Sequence, residues 1–171
     1  RRQRQMCIRD RATIEEKQSA INELEQALKS AINHIHQSQN NESVSAALKE
    51  SISLIDSIEI QAHKKLEAKA YIDGYSDDKI NDISSRATNE EKQIFVSKLK
   101  ALINRTHKQI DEAETFVSVE TIVRNFKVEV DKLNSIIRKK AKALKEIELE
   151  ADHVKQMINA NLSASTRVKQ N

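Results

Sequence analysis

The sequence predicts an all-α fold of tandem helical-bundle repeats, of three-helix or spectrin-like type and elongated, and three observations support this prediction. The 171 residues contain no proline and a single glycine, Gly74, so little interrupts a helix. Good helix formers such as Ala, Leu, Glu, Lys and Gln are abundant, whereas β-branched and aromatic residues form no alternating runs. The third observation is a heptapeptide that recurs 75 residues further along the chain.

This heptapeptide fixes the register of an internal repeat. Residues 12–18 read ATIEEKQ and residues 87–93 read ATNEEKQ. When 12–58 is aligned without gaps on 87–133, 11 of 47 positions are identical and many others stay apolar. A fixed period of this kind indicates an array in which each unit packs mainly on its neighbours. We therefore predict helical repeat 1 over 12–86, helical repeat 2 over 87–161, and the start of a third repeat over 162–171.

Each copy of the heptapeptide contains a helix start. Thr13 and Glu16, and likewise Thr88 and Glu91, have the T-x-x-E spacing of a capping box. The threonine hydroxyl accepts a hydrogen bond from a free N–H group of the first turn, and the glutamate accepts one from the threonine N–H. These four residues are the only site residues that the sequence predicts, and their predicted role is structural.

Two further helices should follow these starts. The apolar spacing ends near Ser38–Asn40 in the first copy and near Ala113–Thr115 in the second, so the first helix should end there. Asn40 or Asn41, and Thr115 in the second copy, suit the start of the next helix. Its apolar positions continue the spacing of three and four residues that is typical of a packed helix face.

The length of this second helix is left open by the sequence. In the first copy, Gly74 and the cap signal Ser76-Asp77-Asp78 favour a break there, and a turn near 60–63 is the alternative. In the second copy, no residue between 119 and 158 predicts a break. Each unit is therefore either a compact three-helix bundle or a spectrin-like unit whose helices continue into the next.

The charge of the chain is concentrated at one end. Residues 1–11, RRQRQMCIRDR, carry five arginines and one aspartate, whereas the remaining residues are close to neutral. This segment resembles translated sequencing-adapter sequence and includes the single cysteine, Cys7, so we predict that it is not native; the alternative is a basic helical segment that leads into the first repeat. Without it the chain has no basic stripe, and we predict no nucleic-acid partner.

Patterns typical of enzymes and metal sites are not found in the sequence. It contains no nucleophile elbow, phosphate loop or catalytic triad, so we predict no enzyme, no catalytic residues and no cofactor. The histidines never occur four residues apart, so we predict no metal site and interpret them as solvated; they are His34, His36, His63, His107 and His153. No apolar run approaches the roughly 20 residues of a membrane span, so we predict no membrane insertion.

The repeats resemble those of domain-of-unknown-function family 1542. The resemblance is carried by ATNEEKQ at 87–93, Ile110-Asp111-Glu112-Ala113, the segment VSAALKESISLI at 44–55, and Ala68-Lys69-Ala70-Tyr71-Ile72-Asp73. It covers residues 12–161. Prolines that mark turns in that family are absent here.

The resemblance implies a function and a location. Repeats of this family occur in cell-wall-anchored surface proteins of Gram-positive bacteria, including matrix-binding adhesins. We therefore expect an extracellular, cell-wall-associated stalk, spacer or adhesive segment. Its expected partners are neighbouring repeats of the same chain and a host extracellular-matrix or serum protein. Two alternatives stay open, an intracellular coiled-coil or spectrin-like scaffold and a small serum-protein-binding three-helix module.

Overall fold

The chain folds into helices joined by short connections. A computed structural model describes the backbone of residues 8–170 and the side chains of residues 8–162. All regular structure in these residues is helical, which confirms the predicted all-α repeat fold. After a helical stretch at 8–11, the elements are α1 (Ile14–Gln37), α2 (Asn41–Ser57), α3 (Lys64–Ile83), α4 (Asn89–Glu112), α5 (Phe116–Leu133), a 3-10 turn (Asn134–Ile136) and α6 (Lys139–Gln170).

A short turn after the first helix of each copy starts the next helix. Asn40 caps α2, because its Oδ1 accepts from the Ser43 N–H at 2.8 Å and the Ser43 Oγ accepts from the Asn40 N–H at 3.2 Å. In the second copy, Thr115 Oγ1 accepts from the Ser118 N–H at 3.1 Å and Ser118 Oγ accepts from the Thr115 N–H at 3.2 Å. The same reciprocal cap therefore ends both turns.

The long second helix is interrupted in both copies. In the first copy, residues 58–63 are not helical, which selects the turn near 60–63, and Gly74 lies inside α3. In the second copy, where no residue between 119 and 158 predicted a break, α5 nevertheless ends at Leu133 and α6 begins at Lys139. The apolar spacing continues through both breaks, so it gives no sign of them.

The described chain divides into two compact units. The first comprises the described residues up to Gly74 together with Leu102–Val128, and the second comprises Tyr75–Ala101 together with the described residues from Glu129 onward. The wholly buried large apolar side chains of the first unit are Ile72, Ile110, Val119 and Phe126. Those of the second unit are Ile83, Phe95, Leu99 and Val130. Both cores thus draw on stretches of α3, α4 and α5.

Some sequence-based predictions concern residues beyond those described. The segment predicted to be foreign, 1–11, is described only from residue 8, and Cys7 lies outside the described part. The predicted start of a third repeat, 162–171, is helical to residue 170, and its side chains are described only at Leu162. Both predictions, and the repeat boundaries 12–86 and 87–161, stay predictions.

Candidate functional site

The carboxylate of Glu16 in the first unit accepts four hydrogen bonds. Its Oε1 accepts hydrogen bonds from the N–H and the hydroxyl of Thr13, at 2.9 and 3.0 Å. The Thr13 hydroxyl in turn accepts from the Glu16 N–H at 3.3 Å, which completes a capping box at the start of α1. Thr13 and Glu16 are both buried, so this cap is protected from competition by water.

The second oxygen of the same carboxylate caps another helix. Glu16 Oε2 accepts from the N–H groups of His63 and Lys64, at 2.6 and 3.1 Å, where α3 begins. The first N–H groups of a helix have no partner within the helix and carry its positive dipole end. One carboxylate thus stabilises the start of its own helix and the start of a second helix, whose donor His63 lies 47 residues after Glu16.

The neighbouring glutamate connects α1 to a third helix start. Glu15 Oε2 accepts from the Phe116 N–H at 3.0 Å, where α5 begins. The Ile14 N–H donates to the Glu114 carbonyl at 2.8 Å, which joins the two helix starts a second time. The E-E pair of the heptapeptide therefore brings together the starts of α1, α3 and α5 in the first unit.

The second unit contains the same cap one repeat later. Glu91 Oε1 accepts from the Thr88 N–H at 3.0 Å, and the Glu91 N–H donates to the Thr88 hydroxyl at 3.1 Å. Glu91 Oε2 accepts from the N–H groups of Arg138 and Lys139, at 2.8 and 3.2 Å, where α6 begins. Each of these residues lies 75 positions after its counterpart in the first unit. The repeat therefore reproduces a tertiary contact as well as a local motif.

These hydrogen bonds favour the charged form of both glutamates. At Glu16, burial raises the pKa, but the N–H groups of Thr13, Lys64 and His63 and the Thr13 hydroxyl outweigh it and leave the pKa below its usual value. At Glu91, the N–H groups of Thr88 and Arg138 lower the pKa to about 2, against a smaller opposing effect of burial. Both carboxylates are therefore ionised at neutral pH.

Sequence reasoning found the threonine and glutamate of each cap and missed the distant donors. Nothing in the local sequence of His63 and Lys64, or of Arg138 and Lys139, is typical of a helix start. One available signal is the register itself. Extended past residue 133, it aligns His63-Lys64-Lys65 with Arg138-Lys139-Lys140, so three basic or titratable residues recur at the interval of 75.

The histidines do not converge on a site. His107 Nε2 lies 2.9 Å from Asp73 Oδ1, and His63 Nε2 lies 3.1 Å from Gln61 Oε1. Among the residues that the structure describes, no cluster of three histidine, cysteine or acidic side chains has the arrangement of a metal site. Over the same part of the chain, no helix combines the length and the apolar character that a membrane crossing requires.

Comparison with known protein families gives a match that covers most of the chain. The family model described as Domain of Unknown Function (DUF1542) matches the chain twice in tandem, at residues 3–63 and 64–136. The second match begins at the first residue of α3 and ends with the 3-10 turn, so it contains α3, α4 and α5. Neither the curated proteins nor the solved structures contain a match to this chain.

Proposed function

The chain belongs to the DUF1542 family, known as a repeat of Gram-positive surface proteins, and on this premise we propose that it is a non-catalytic stalk or spacer segment. In this role, consecutive helical units hold another region of the parent protein away from the cell wall. We place the segment outside the cell and in association with the wall.

The repeated glutamate cap is the observation that carries this proposal. In both units, a glutamate in the first turn of one helix binds the start of a helix that follows 47 residues later. Such a contact fixes the order and register of helices along the chain without requiring a large core. Repeat proteins gain stability from contacts of this neighbouring kind.

The state of these carboxylates supports a structural role over catalysis. A general acid needs a proton to give, and a general base needs a lone pair that faces a substrate. Glu16 and Glu91 are ionised at neutral pH, and both oxygens of each accept backbone N–H groups. In the open depression beside Glu91, the Ser135 hydroxyl is also engaged, since it donates to the Lys132 carbonyl at 3.0 Å.

Small-angle X-ray scattering of the whole chain tests the spacer proposal. A compact chain of this length should have a radius of gyration of about 16 Å. A spacer predicts a clearly larger value after extrapolation to zero concentration, which removes any contribution from self-association. A compact globular protein of similar mass is the control. A value near that of the control would contradict the spacer proposal.

An adhesive role is the second candidate, and the family's occurrence in surface proteins favours it. An adhesive segment of this kind would bind a host extracellular-matrix or serum protein weakly and gain strength from many repeats. Titration of the chain with immobilised matrix and serum proteins would detect such binding. If the chain binds none of these proteins up to high micromolar concentration, the adhesive role is contradicted and only the spacer role remains.

A further inference from the structure

Helix α3 buries one narrow face against the rest of the bundle. The buried residues on it follow helical spacing and are Lys65, Ala68, Ile72, Ser76 and Ile83. Its neighbours in the first unit are α4 and α5, since Lys65 Nζ donates to the Asp111 carbonyl at 2.8 Å and Lys64 Nζ lies 3.1 Å from Glu120 Oε1. This face is therefore built to fit the groove between two helices.

Helix α6 carries the same face, 75 residues later. The positions that correspond to the five buried residues of α3 are Lys140, Ala143, Ile147, Ala151 and Ile158. Four of the five are identical, and the fifth exchanges one small residue for another. On α6, however, this face is open to solvent, with Ile147 65% exposed and Ile158 59% exposed, whereas Ile72 on α3 is wholly buried.

The complementary groove is also open, on α1 and α2. These helices correspond to α4 and α5 in the repeat, and Leu24 on α1 is 41% exposed although its counterpart on α4, Leu99, is wholly buried. Val44 on α2 is likewise exposed, although its counterpart on α5, Val119, is wholly buried. We call this surface the α1–α2 face; its exposed apolar residues are Leu24, Leu28, Ile32, Val44, Leu48 and Ile52.

We propose that α6 of one copy of this chain docks on the α1–α2 face of a second copy, as α3 docks on α4 and α5 within the chain. Among the described residues, the docking face of α6 and the α1–α2 face are both open to solvent, and the same 75-residue register matches one to the other. The two surfaces are different, so the contact is heterologous, and a pair of copies keeps one unoccupied α6 and one unoccupied α1–α2 face. Head-to-tail chains of copies follow, and this inference does not depend on the spacer role.

The contact between copies should be less polar than the contact within the chain. Lys69 of α3 pairs with Asp111 of α4, whereas the corresponding residues are Leu144 on α6 and His36 on α1. His107 of α4, whose ring faces Asp73, corresponds to Ile32 on α1. An apolar contact is little screened by salt. Self-association should therefore persist in high salt.

Analytical ultracentrifugation of the whole chain and two variants tests the proposal. Ile147→Glu disables α6 as the docking helix, and Leu24→Glu disables the groove. Because both positions are solvent-exposed in a single copy, circular dichroism should show that both variants keep their helices. The wild-type chain should associate progressively between about 5 and about 500 µM, and either substitution should weaken association by at least about 100-fold.

Mixing the two variants gives the decisive result. Leu24→Glu retains a working α6 and Ile147→Glu retains a working groove, so together they should form a one-to-one complex that grows no further. Leu149→Glu and Leu54→Glu are matched controls, since their counterparts in the repeat, Gly74 and Glu129, are exposed, and both should associate as the wild type does. A wild-type chain that stays monomeric at the highest concentration would overturn the proposal. So would a dimer that is lost with Ile147→Glu alone, because this would indicate that α6 pairs with α6.

Discussion

The glutamate cap of the first unit can be tested by replacing Glu16 with glutamine. The amide keeps one acceptor oxygen and replaces the other with an NH2 group, which cannot accept from N–H donors. If the NH2 group faces α3, the N–H groups of His63 and Lys64 lose their acceptor. If the amide is turned the other way, the Thr13 N–H loses its acceptor instead. Glutamine therefore satisfies one helix start at the cost of the other.

The size of the effect follows from the hydrogen bonds that are lost. Glu16 is buried, and a hydrogen bond to a charged group contributes about 1.5–3 kcal/mol. Two such bonds are lost, but the α3 end of the cap is only partly buried, so we expect the free energy of unfolding to fall by about 2–4 kcal/mol. For a chain of this size, the corresponding fall in melting temperature is about 5–15 °C.

Urea denaturation followed by circular dichroism measures this loss. Glu23→Gln is the matched control, because Glu23 is an exposed residue of the same helix and the chemical change is identical. It should alter the free energy of unfolding by no more than about 0.5 kcal/mol. Because the pKa of Glu16 is lowered in the folded chain, its contribution is complete above the usual value of 4.5 and is lost as the pH falls. A Glu16→Gln variant as stable as the control at neutral pH would refute the two-helix cap.

Three further predictions concern other parts of the chain. The pKa of Glu91 is held at about 2 against a usual 4.5, so the stability gap between wild type and Glu91→Gln should close as the pH falls from 4.5 towards 2 in acid titrations followed by circular dichroism. A gap that stays constant over this range would contradict the cap. Phe126 is wholly buried, so Phe126→Ala should cost about 3–5 kcal/mol in urea denaturation, while Val128→Ala, at an exposed position of the same helix, should cost little. Gly74 lies inside α3, and apart from its chain neighbours and the backbone of its own helix no heavy atom lies within 4 Å of the point that an alanine methyl group would occupy. Gly74→Ala should therefore raise the free energy of unfolding by about 0.5–1 kcal/mol in the same urea experiment, and a loss of stability would show that the position is crowded.

The sequence predicted those features of the fold that depend on residues close together in the chain. The capping pairs Thr13–Glu16 and Thr88–Glu91 lie three residues apart, and the apolar spacing of a helix is visible over two turns. The helix ends near Ser38 and Ala113 are of the same kind, because a polar cap for the next helix follows directly. The local pattern therefore predicts the fold class, the capped helix starts and the repeat period of 75 residues.

The break before α3 was one of two alternatives that the sequence left open, and the break before α6 was not predicted. Apolar residues continue through both breaks, and the N–H groups at the start of each helix donate to a glutamate that lies 47 and 48 residues earlier. A helix can begin without a local cap when a distant carboxylate supplies the acceptor. The different exposure of Leu24 and Leu99 was also hidden, because two equivalent sequence positions differ only in whether a third helix lies against them.

The glutamate cap also limits how the gene for such an array can change length. Recombination between repeats that adds or removes a whole period of 75 codons leaves every glutamate 47 and 48 residues before its two backbone donors, wherever the crossover falls. An insertion or deletion of any other length inside that interval shifts the donors around or along the helix, away from the carboxylate. Arrays of this type can therefore lengthen or shorten by whole units during evolution while each helix start keeps its acceptor.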